Sequence, residues 1–184
     1  TPRAGYDGCD PSIRETANYP VKEKWNAKTG RRGPIGGAHQ QPTVLFNGMV
    51  ASWAPMAMRG FIWYQGCSNS AHPELYCQRM HALYNGWSEK FGNPGLKLYF
   101  VQLAPWEGGG HPEFQQAQAK FEAEEPNAGM AIINDLGNLT DIHPNEKATV
   151  AKRLAVHALK RDYGFDSIRD DSPTLRDWEL EKDR

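Results

Sequence analysis

Residues 43–163 alternate between amphipathic helical patterns and short apolar strand patterns, and this alternation is the strongest constraint on the fold. Strands are predicted at residues 60–65, 96–103 and 130–133, and helices at residues 43–56, 73–91, 113–125 and 144–163. A helix separates each strand from the next, which favours parallel pairing with right-handed crossovers. The sequence therefore predicts an α/β fold, a three-layer α/β/α sandwich around a mostly parallel sheet.

The apolar positions within these elements predict which faces are buried. Residues 61–64 form a continuous apolar run, which predicts a buried strand. In the strand at 96–103, alternate positions predict two faces, with Leu98 and Phe100 on one and Tyr99 and Val101 on the other. The apolar stripe predicted for the first helix consists of Leu45, Met49, Val50 and Trp53, and that of the second consists of Tyr76, Met80, Leu83, Tyr84, Trp87 and Phe91.

The size of the chain favours a single domain. Its 184 residues, 39% hydrophobic and 23% charged, suffice for one buried core. We expect residues 1–42 to be irregular with short extended pieces, because Gly, Pro, Asn and Asp are frequent there and no period is sustained. Residues 43–164 form the predicted α/β core, and residues 165–184 form a charged tail with no assigned role.

The charge and hydropathy of the chain argue against two classes of partner. The formal net charge of −1 gives no basic surface for nucleic acid or for an anionic membrane. No apolar run approaches the roughly 20 residues that span a bilayer. We therefore expect no nucleic-acid partner and no membrane span, and a small or neutral ligand is favoured.

The three cysteines, Cys9, Cys67 and Cys77, are too few for a disulfide framework. Cys67, His72, Cys77 and His81 are spaced by five, five and four residues, and Cys77 and His81 would share a helix face. A zinc site is one reading of this spacing, although no close Cys-x-x-Cys pair supports it. The alternative, which the pattern favours, is a small buried thiol beside exposed histidines.

Two polar clusters follow predicted strands, one at residues 65–69 and one at residues 135–143. In a parallel sheet both lie at the carboxyl edge, where α/β proteins bind ligands. Asp141 and His143 are two residues apart, so in an extended loop the carboxylate can orient the imidazole for proton transfer. From the pattern alone, a simpler alternative is slightly favoured, in which Asp141 caps the next helix and His143 is a surface residue.

A resemblance to a known family favours the functional reading. Trp-Tyr-Gln-Gly-Cys-Ser-Asn at residues 63–69 resembles the Trp-Tyr-Gln-Gly-Glu-Ser-Asn block of sialate O-acetylesterases and related carbohydrate acetylesterases of the SGNH-hydrolase superfamily. Asp-Ile-His-Pro at residues 141–144 is similar to a second block of that family. With weaker similarity around them, the match covers about residues 42–164. The resemblance implies an SGNH-hydrolase-like sandwich whose N-terminal part is missing.

The resemblance also implies roles for the matching residues. Asn69, through its side-chain amide, and Gly66 would bind the oxyanion of a tetrahedral intermediate, and Gln65 belongs to the same substrate-binding block. His143 would be the general base and Asp141 its orienting acid.

This chain departs from the family pattern at two positions. Cys67 stands where the family has Glu, and a neutral thiol would orient the catalytic histidine less well. Many SGNH hydrolases carry the acid three residues before the histidine, where this chain has Thr140. Asp141 and the more distant Asp135 are therefore both candidates for the orienting acid.

The nucleophile blocks of the family are absent from these 184 residues. The family carries its serine in a Gly-Gln-Ser-Asn block, and an oxyanion-hole glycine in a block resembling Ser-Trp-Gly-Gly-Thr, both upstream of the region matched here. We therefore expect an upstream segment or a companion chain to supply the serine. Ser68 lies within the matched block, but the family gives it no nucleophilic role, so it is predicted to be a turn residue.

The function implied by the resemblance is hydrolysis of acetyl esters on sugars, with an O-acetylated carbohydrate as substrate and no metal or organic cofactor. The alternative is a non-catalytic glycan-binding relative. Since relatives that act on glycans are usually exported, the expected location is secreted, periplasmic or lysosomal.

Overall fold

A computed structural model describes residues 1–34, 37–108, 111–173, 177 and 179 of the chain. The other residues of the predicted tail lie outside the described residues. The helices are α1 (Arg3–Asp7), α2 (Pro11–Thr16), α3 (Pro73–Lys90), α4 (His111–Glu124) and α5 (Lys147–Tyr163). The strands are β1 (Glu23–Asn26), β2 (Arg31–Pro34), β3 (Gly60–Trp63), β4 (Lys97–Val101) and β5 (Ala128–Ala131).

The main sheet has three parallel strands in the order β3-β4-β5. Phe61 of β3 pairs with Leu98 of β4, and Phe100 pairs with Met130 of β5. The predicted parallel pairing is therefore confirmed, and the three carboxyl ends lie at one edge of the sheet. A separate antiparallel hairpin joins β1 to β2.

Helices flank both faces of this sheet. Leu98 and Phe100 are buried with side chains of α3 and α4 on one face. Tyr99 and Val101 are buried on the other face, where α5 covers them. These are the two faces that the alternation in β4 predicts, because successive side chains of a strand point to opposite sides. No helix in the described part of the chain is long and apolar enough to cross a bilayer.

The first 42 residues contain more regular structure than the sequence predicts. The short extended pieces that the sequence predicts correspond to β1 and β2, but helices α1 and α2 were not predicted. Helix α1 packs closely on α3, and a Cβ atom added to Gly86 would lie 2.8 Å from the Cα of Gly5. Helices this short are marginal in isolation, so tertiary packing and not an apolar period stabilises them.

The single helix predicted at 43–56 is also wrong in detail. The segment contains a π-helical turn, Phe46–Val50, followed by a 3₁₀ turn, Ala51–Trp53. Phe46 is the buried residue of this segment, and its ring contacts the edge of Trp87 at a centroid distance of 5.9 Å. Three members of the predicted stripe are exposed instead: Leu45, Met49 and Trp53.

Strand β3 is covered on one face only, whereas its sequence predicts a buried strand. Phe61 and Trp63 pack against the core between the sheet and α3. Ile62 points to the opposite face and is 69% exposed. A continuous apolar run is typical of a central parallel strand, but β3 lies at an edge of the three-stranded sheet.

Candidate active site

The loop after β3 turns sharply at Gly66. Its φ of +156° is accessible to glycine and rare for other residues. A Cβ atom at this position would lie 2.7 Å from the Phe114 ring of α4. The backbone N–H of Asn69 donates to the Gly66 carbonyl at 2.7 Å and closes the short 3₁₀ turn Cys67–Asn69. Glycine at 66 therefore fixes where Asn69 lies relative to the strand end.

Gly66→Ala is expected to lower the free energy of unfolding by about 1–3 kcal/mol, because the methyl group meets Phe114 and the φ value becomes strained. Chemical denaturation monitored by tryptophan fluorescence would measure this. Gly48→Ala is the matched control, since a Cβ there has no neighbour within 4 Å. Equal stability of the two variants would contradict the packing described here.

Two hydrogen bonds hold the side chains of this turn. The Gln65 Nε2 donates to the Asn69 Oδ1 at 2.6 Å. The Tyr76 hydroxyl of α3 donates to the Gln65 carbonyl at 2.9 Å, and burial raises the pKa of Tyr76, so this hydroxyl stays protonated. The Asn69 side-chain amide has one oxygen, which accepts, and one NH₂ group, which donates. Because the oxygen accepts the bond from Gln65, the NH₂ group on the other side of the amide can donate to a ligand.

The loop before α5 holds Asp141 close to His143. The Asp141 Oδ1 accepts a hydrogen bond from the backbone N–H of His143 at 2.9 Å and lies 3.4 Å from its Nδ1. The His143 side chain is 84% exposed, so its other ring nitrogen is accessible. The structure thus brings together the predicted acid and base.

Asp141 does not cap the following helix, so this part of the simpler alternative is wrong, whereas His143 does lie at the surface as that alternative expects. Helix α5 begins at Lys147, three residues later than Pro144, the start that the sequence predicts. Its N-cap residue is Glu146, which makes no side-chain capping bond. The carboxylate of Asp141 instead accepts the backbone N–H of His143, two residues further along the chain.

Asp135, the other candidate acid, is held by a different partner. Both of its carboxylate oxygens lie 2.6 Å from guanidinium nitrogens of Arg153, whose Nη1 also donates to the Ile132 carbonyl. These hydrogen bonds from Arg153 lower the pKa of Asp135. Since both oxygens are engaged, the geometry favours Asp141 over Asp135 as the partner of His143.

A contact between Tyr64 and Lys147 links the two loops. The Lys147 ammonium lies 5.3 Å from the centroid of the Tyr64 ring, a distance within the cation–π range, and donates to the Pro144 carbonyl at 2.5 Å. Tyr64 directly precedes Gln65, and Lys147 follows His143 by four residues. No hydrogen bond in the described part of the chain joins His143 itself to residues 65–69. The candidate site therefore has two neighbouring halves, which the Lys147–Tyr64 contact joins.

The four-residue zinc reading of the sequence is wrong, because only two of its members meet. Cys77 and His81 come together on α3, as their helical spacing predicts, while Cys67 and His72 are not part of that cluster. Cys67 is an exposed free thiol in the turn after β3.

Three further features of the site were not predicted from the sequence: the Gln65–Asn69 hydrogen bond, the Tyr76 hydroxyl and the Lys147–Tyr64 contact. Tyr76 belongs to the predicted apolar stripe, which gives no sign of a polar role.

Comparison with known proteins assigns the chain to a class of esterases. This chain is similar to the crystal structure of a novel carbohydrate acetylesterase from Xanthomonas citri. The TM-score is 0.63 and the sequence identity is 34%, and the match covers 67% of this chain and 31% of that one. A family model described as carbohydrate esterase, sialic acid-specific acetylesterase, matches residues 23–160. Because this match covers most of the sequence, the chain belongs to that family.

Curated relatives give the same family. The sialate O-acetylesterase of Rattus norvegicus is 32% identical over 160 residues, covering 75% of this chain and 30% of the relative. The sialate O-acetylesterase of Homo sapiens is also 32% identical over 160 residues, with 75% and 31% covered. This chain thus spans about a third of the length of the curated relatives it matches.

Proposed function

We propose that this chain carries the histidine-bearing part of a carbohydrate O-acetylesterase and that its substrate is an O-acetylated sugar. The observation that carries the proposal is the Asp141–His143 pair at the carboxyl edge of the sheet, beside the turn that presents Asn69. Membership of the carbohydrate esterase family and the similarity to sialate O-acetylesterases support this substrate class.

In the proposed reaction, a serine supplied from outside the 184 residues attacks the acetyl carbonyl while His143 takes the serine proton. The carbonyl oxygen becomes an oxyanion, which the Asn69 amide and the Gly66 N–H bind. Collapse of this intermediate breaks the ester bond, and His143 gives the proton to the departing sugar oxygen. Water then attacks the acetyl-serine with the same base, releasing acetate and restoring the serine.

The exposure of His143 supports a nucleophile that comes from another segment. With 84% of its side chain exposed, the imidazole has one nitrogen near Asp141 and the other open to a further group. The hydroxyls of Ser68 and Ser70, in the turn region, are unsuited to act as the nucleophile in place of that external serine. Ser70 donates its Oγ hydrogen to the Cys67 carbonyl at 2.9 Å, and Ser68 is exposed with no family role.

We also propose a secreted, periplasmic or lysosomal location, on the basis of the family alone.

A second candidate function is glycan binding without catalysis. Cys67 favours it, because this neutral, exposed thiol occupies the place of a family glutamate that can interact with the catalytic histidine. Such a protein would keep the sugar-binding half of the site and lose efficient proton transfer.

Acetate release distinguishes these functions. The full-length gene product and the isolated 184-residue chain would each be incubated with O-acetylated sialic acid and with acetylated xylan, and free acetate would be measured. We expect release by the full-length product only. Release by the isolated chain would refute an external serine, and glycan binding by the full-length product without acetate release would establish the second function instead.

A further inference from the structure

Three side chains of types that bind metals, Cys77, His81 and Glu124, lie together where α3 meets the end of α4. The Cys77 Sγ lies 3.2 Å from the Glu124 Oε2, and the His81 Nε2 lies 3.1 Å from the same oxygen. Cys77 and His81 are one helical turn apart on α3, and Glu124 is the last residue of α4. All three donor atoms lie within 4.8 Å of one another.

These spacings are close to those of a tetrahedral zinc site. Zinc bonds of about 2.3 Å to sulfur and about 2.0–2.2 Å to nitrogen and oxygen hold neighbouring ligand atoms about 3.4–3.6 Å apart. The two contacts to the Glu124 oxygen, 3.1 and 3.2 Å, are within about half an ångström of this geometry. The third pair, the Cys77 Sγ and the His81 Nε2, lies within 4.8 Å, so metal binding requires a small movement that brings the imidazole closer to the thiol.

The surroundings of the three groups suit a half-closed site. Cys77 is 5% exposed, the His81 side chain is 29% exposed, and the Glu124 side chain is 45% exposed, so the cluster opens toward solvent on one side. The edge contact between the rings of His81 and Phe121, 4.8 Å between centroids, restricts the imidazole. Lys120 lies 3.7 Å from the other Glu124 oxygen and leaves Oε2 to face the thiol and the ring.

The thiol in this cluster is not a nucleophile by itself. Burial, together with the hydrogen bond to Glu124, raises the pKa of Cys77 to about 12. At neutral pH the group is a thiol, and reactive cysteines are thiolates in electropositive surroundings. A dication reverses this situation, because it stabilises the thiolate and the carboxylate at once.

We propose that Cys77, His81 and Glu124 bind one Zn²⁺ ion, with water in the fourth position. As the zinc–sulfur bond forms, the Cys77 S–H bond breaks and its proton leaves to solvent. A thiolate with an imidazole favours zinc over Mg²⁺ or Ca²⁺, which prefer oxygen ligands. The ion fastens α3 to α4, the two helices that cover one face of the sheet. This site is independent of the proposed esterase chemistry.

Cobalt binding tests the proposal, because Co²⁺ replaces zinc and absorbs light. The chelator-treated 184-residue chain would be titrated with Co²⁺, and Zn²⁺ affinity would be measured by displacement of the cobalt. We expect one equivalent, with the near-ultraviolet thiolate-to-cobalt band and the visible bands of a tetrahedral site. Cys77→Ser should abolish the near-ultraviolet band, and His81→Ala or Glu124→Gln should weaken Zn²⁺ binding at least about tenfold.

Matched variants separate this site from other thiols and histidines. Cys9→Ser combined with Cys67→Ser leaves Cys77 as the single thiol and should keep the cobalt spectrum. His72→Ala should also keep it, since His72 is outside the cluster. Circular dichroism checks that each variant folds, and Glu124→Gln changes only an exposed carboxyl. Absence of the thiolate band from the folded parent chain, or Zn²⁺ affinity unaffected by Glu124→Gln, would overturn the proposal.

Discussion

Replacing His143 by alanine is expected to lower kcat of the full-length gene product on O-acetylated sugars by about 10²–10⁴-fold. The proposed reaction uses His143 twice, first to take the serine proton and then to protonate the leaving sugar. The histidine that follows the Asn69 turn, His72, is the N-cap residue of α3 and its Nδ1 lies 3.3 Å from the Glu74 carboxylate, so within the described site we expect no other imidazole to substitute for His143. Initial rates of acetate release across substrate concentrations separate kcat from KM, and KM should change little.

His72→Ala is the matched control for this variant, since it removes an exposed histidine that has no role in the proposed reaction. Its kcat should equal that of the parent. A paired comparison identifies the orienting acid: Asp141→Asn should lower kcat, while Asp135→Asn should leave kcat unchanged, because Asp135 is engaged by Arg153. Full activity of the His143→Ala protein would refute the role of this residue, and a greater loss from Asp135→Asn would reassign the acid.

The longest elements were predicted well because each has many residues on a single period. Helix α3, strand β4 and helix α5 combine apolar stripes or alternation with clear ends, such as Pro73 before α3 and Gly164 after α5. Gly164 adopts the left-handed conformation with φ of +74°, as expected of a helix-ending glycine. Among the ends of these three elements, the start of α5 was misplaced most, by three residues, since proline suits a first helical turn but equally suits a loop.

The short elements could not be predicted because packing, not local sequence, stabilises them. Helices α1 and α2 have five and six residues, too few to display a period. Ile13 of α2 is almost fully buried and Gly5 of α1 touches α3. Both short helices contact α3, which lies about 60 or more residues away in sequence. The same reason explains Leu45 and Met49, which have a helical spacing but stay exposed in the described part of the chain.

In the two candidate sites, contacts between residues close in sequence could likewise be predicted, and contacts between distant residues could not. Asp141 and His143 are two residues apart, so their contact follows from local geometry and was predicted. In the metal cluster, Cys77 and His81 share a helix and were predicted to share a face, but Glu124 is 47 residues from Cys77. Only the packing of α4 on α3 brings that carboxylate to the other two ligands. Short Cys and His spacings in the sequence therefore reveal two of the three ligands of such a site.

The turn after β3 orients the Asn69 amide, and in the proposed reaction this orientation would make the residue a specific donor. The Gln65 Nε2 binds the Asn69 Oδ1, so the NH₂ group of Asn69 is directed away from Gln65. Tyr76 in turn fixes the Gln65 backbone through its carbonyl. A donor held in advance costs no reorganisation when charge develops on the substrate oxygen, which is the basis of oxyanion stabilisation. We therefore infer that Gln65 is a positioning residue for Asn69.

Asn69→Ala in the full-length gene product is accordingly expected to lower kcat by about 10²–10³-fold, with a smaller change in KM, because the lost hydrogen bond strengthens as the oxyanion forms. Gln65→Glu tests the orientation itself: the new carboxylate cannot donate to the Asn69 oxygen, so the amide rotates its NH₂ group toward that carboxylate and kcat falls while the turn stays folded. Ser68→Ala is the control within the same turn and should retain full activity; its inactivity would instead make Ser68 the nucleophile. If Asn69→Ala kept the parent kcat, the oxyanion donor would have to be a backbone N–H alone, and the orienting role of Gln65 would be refuted with it.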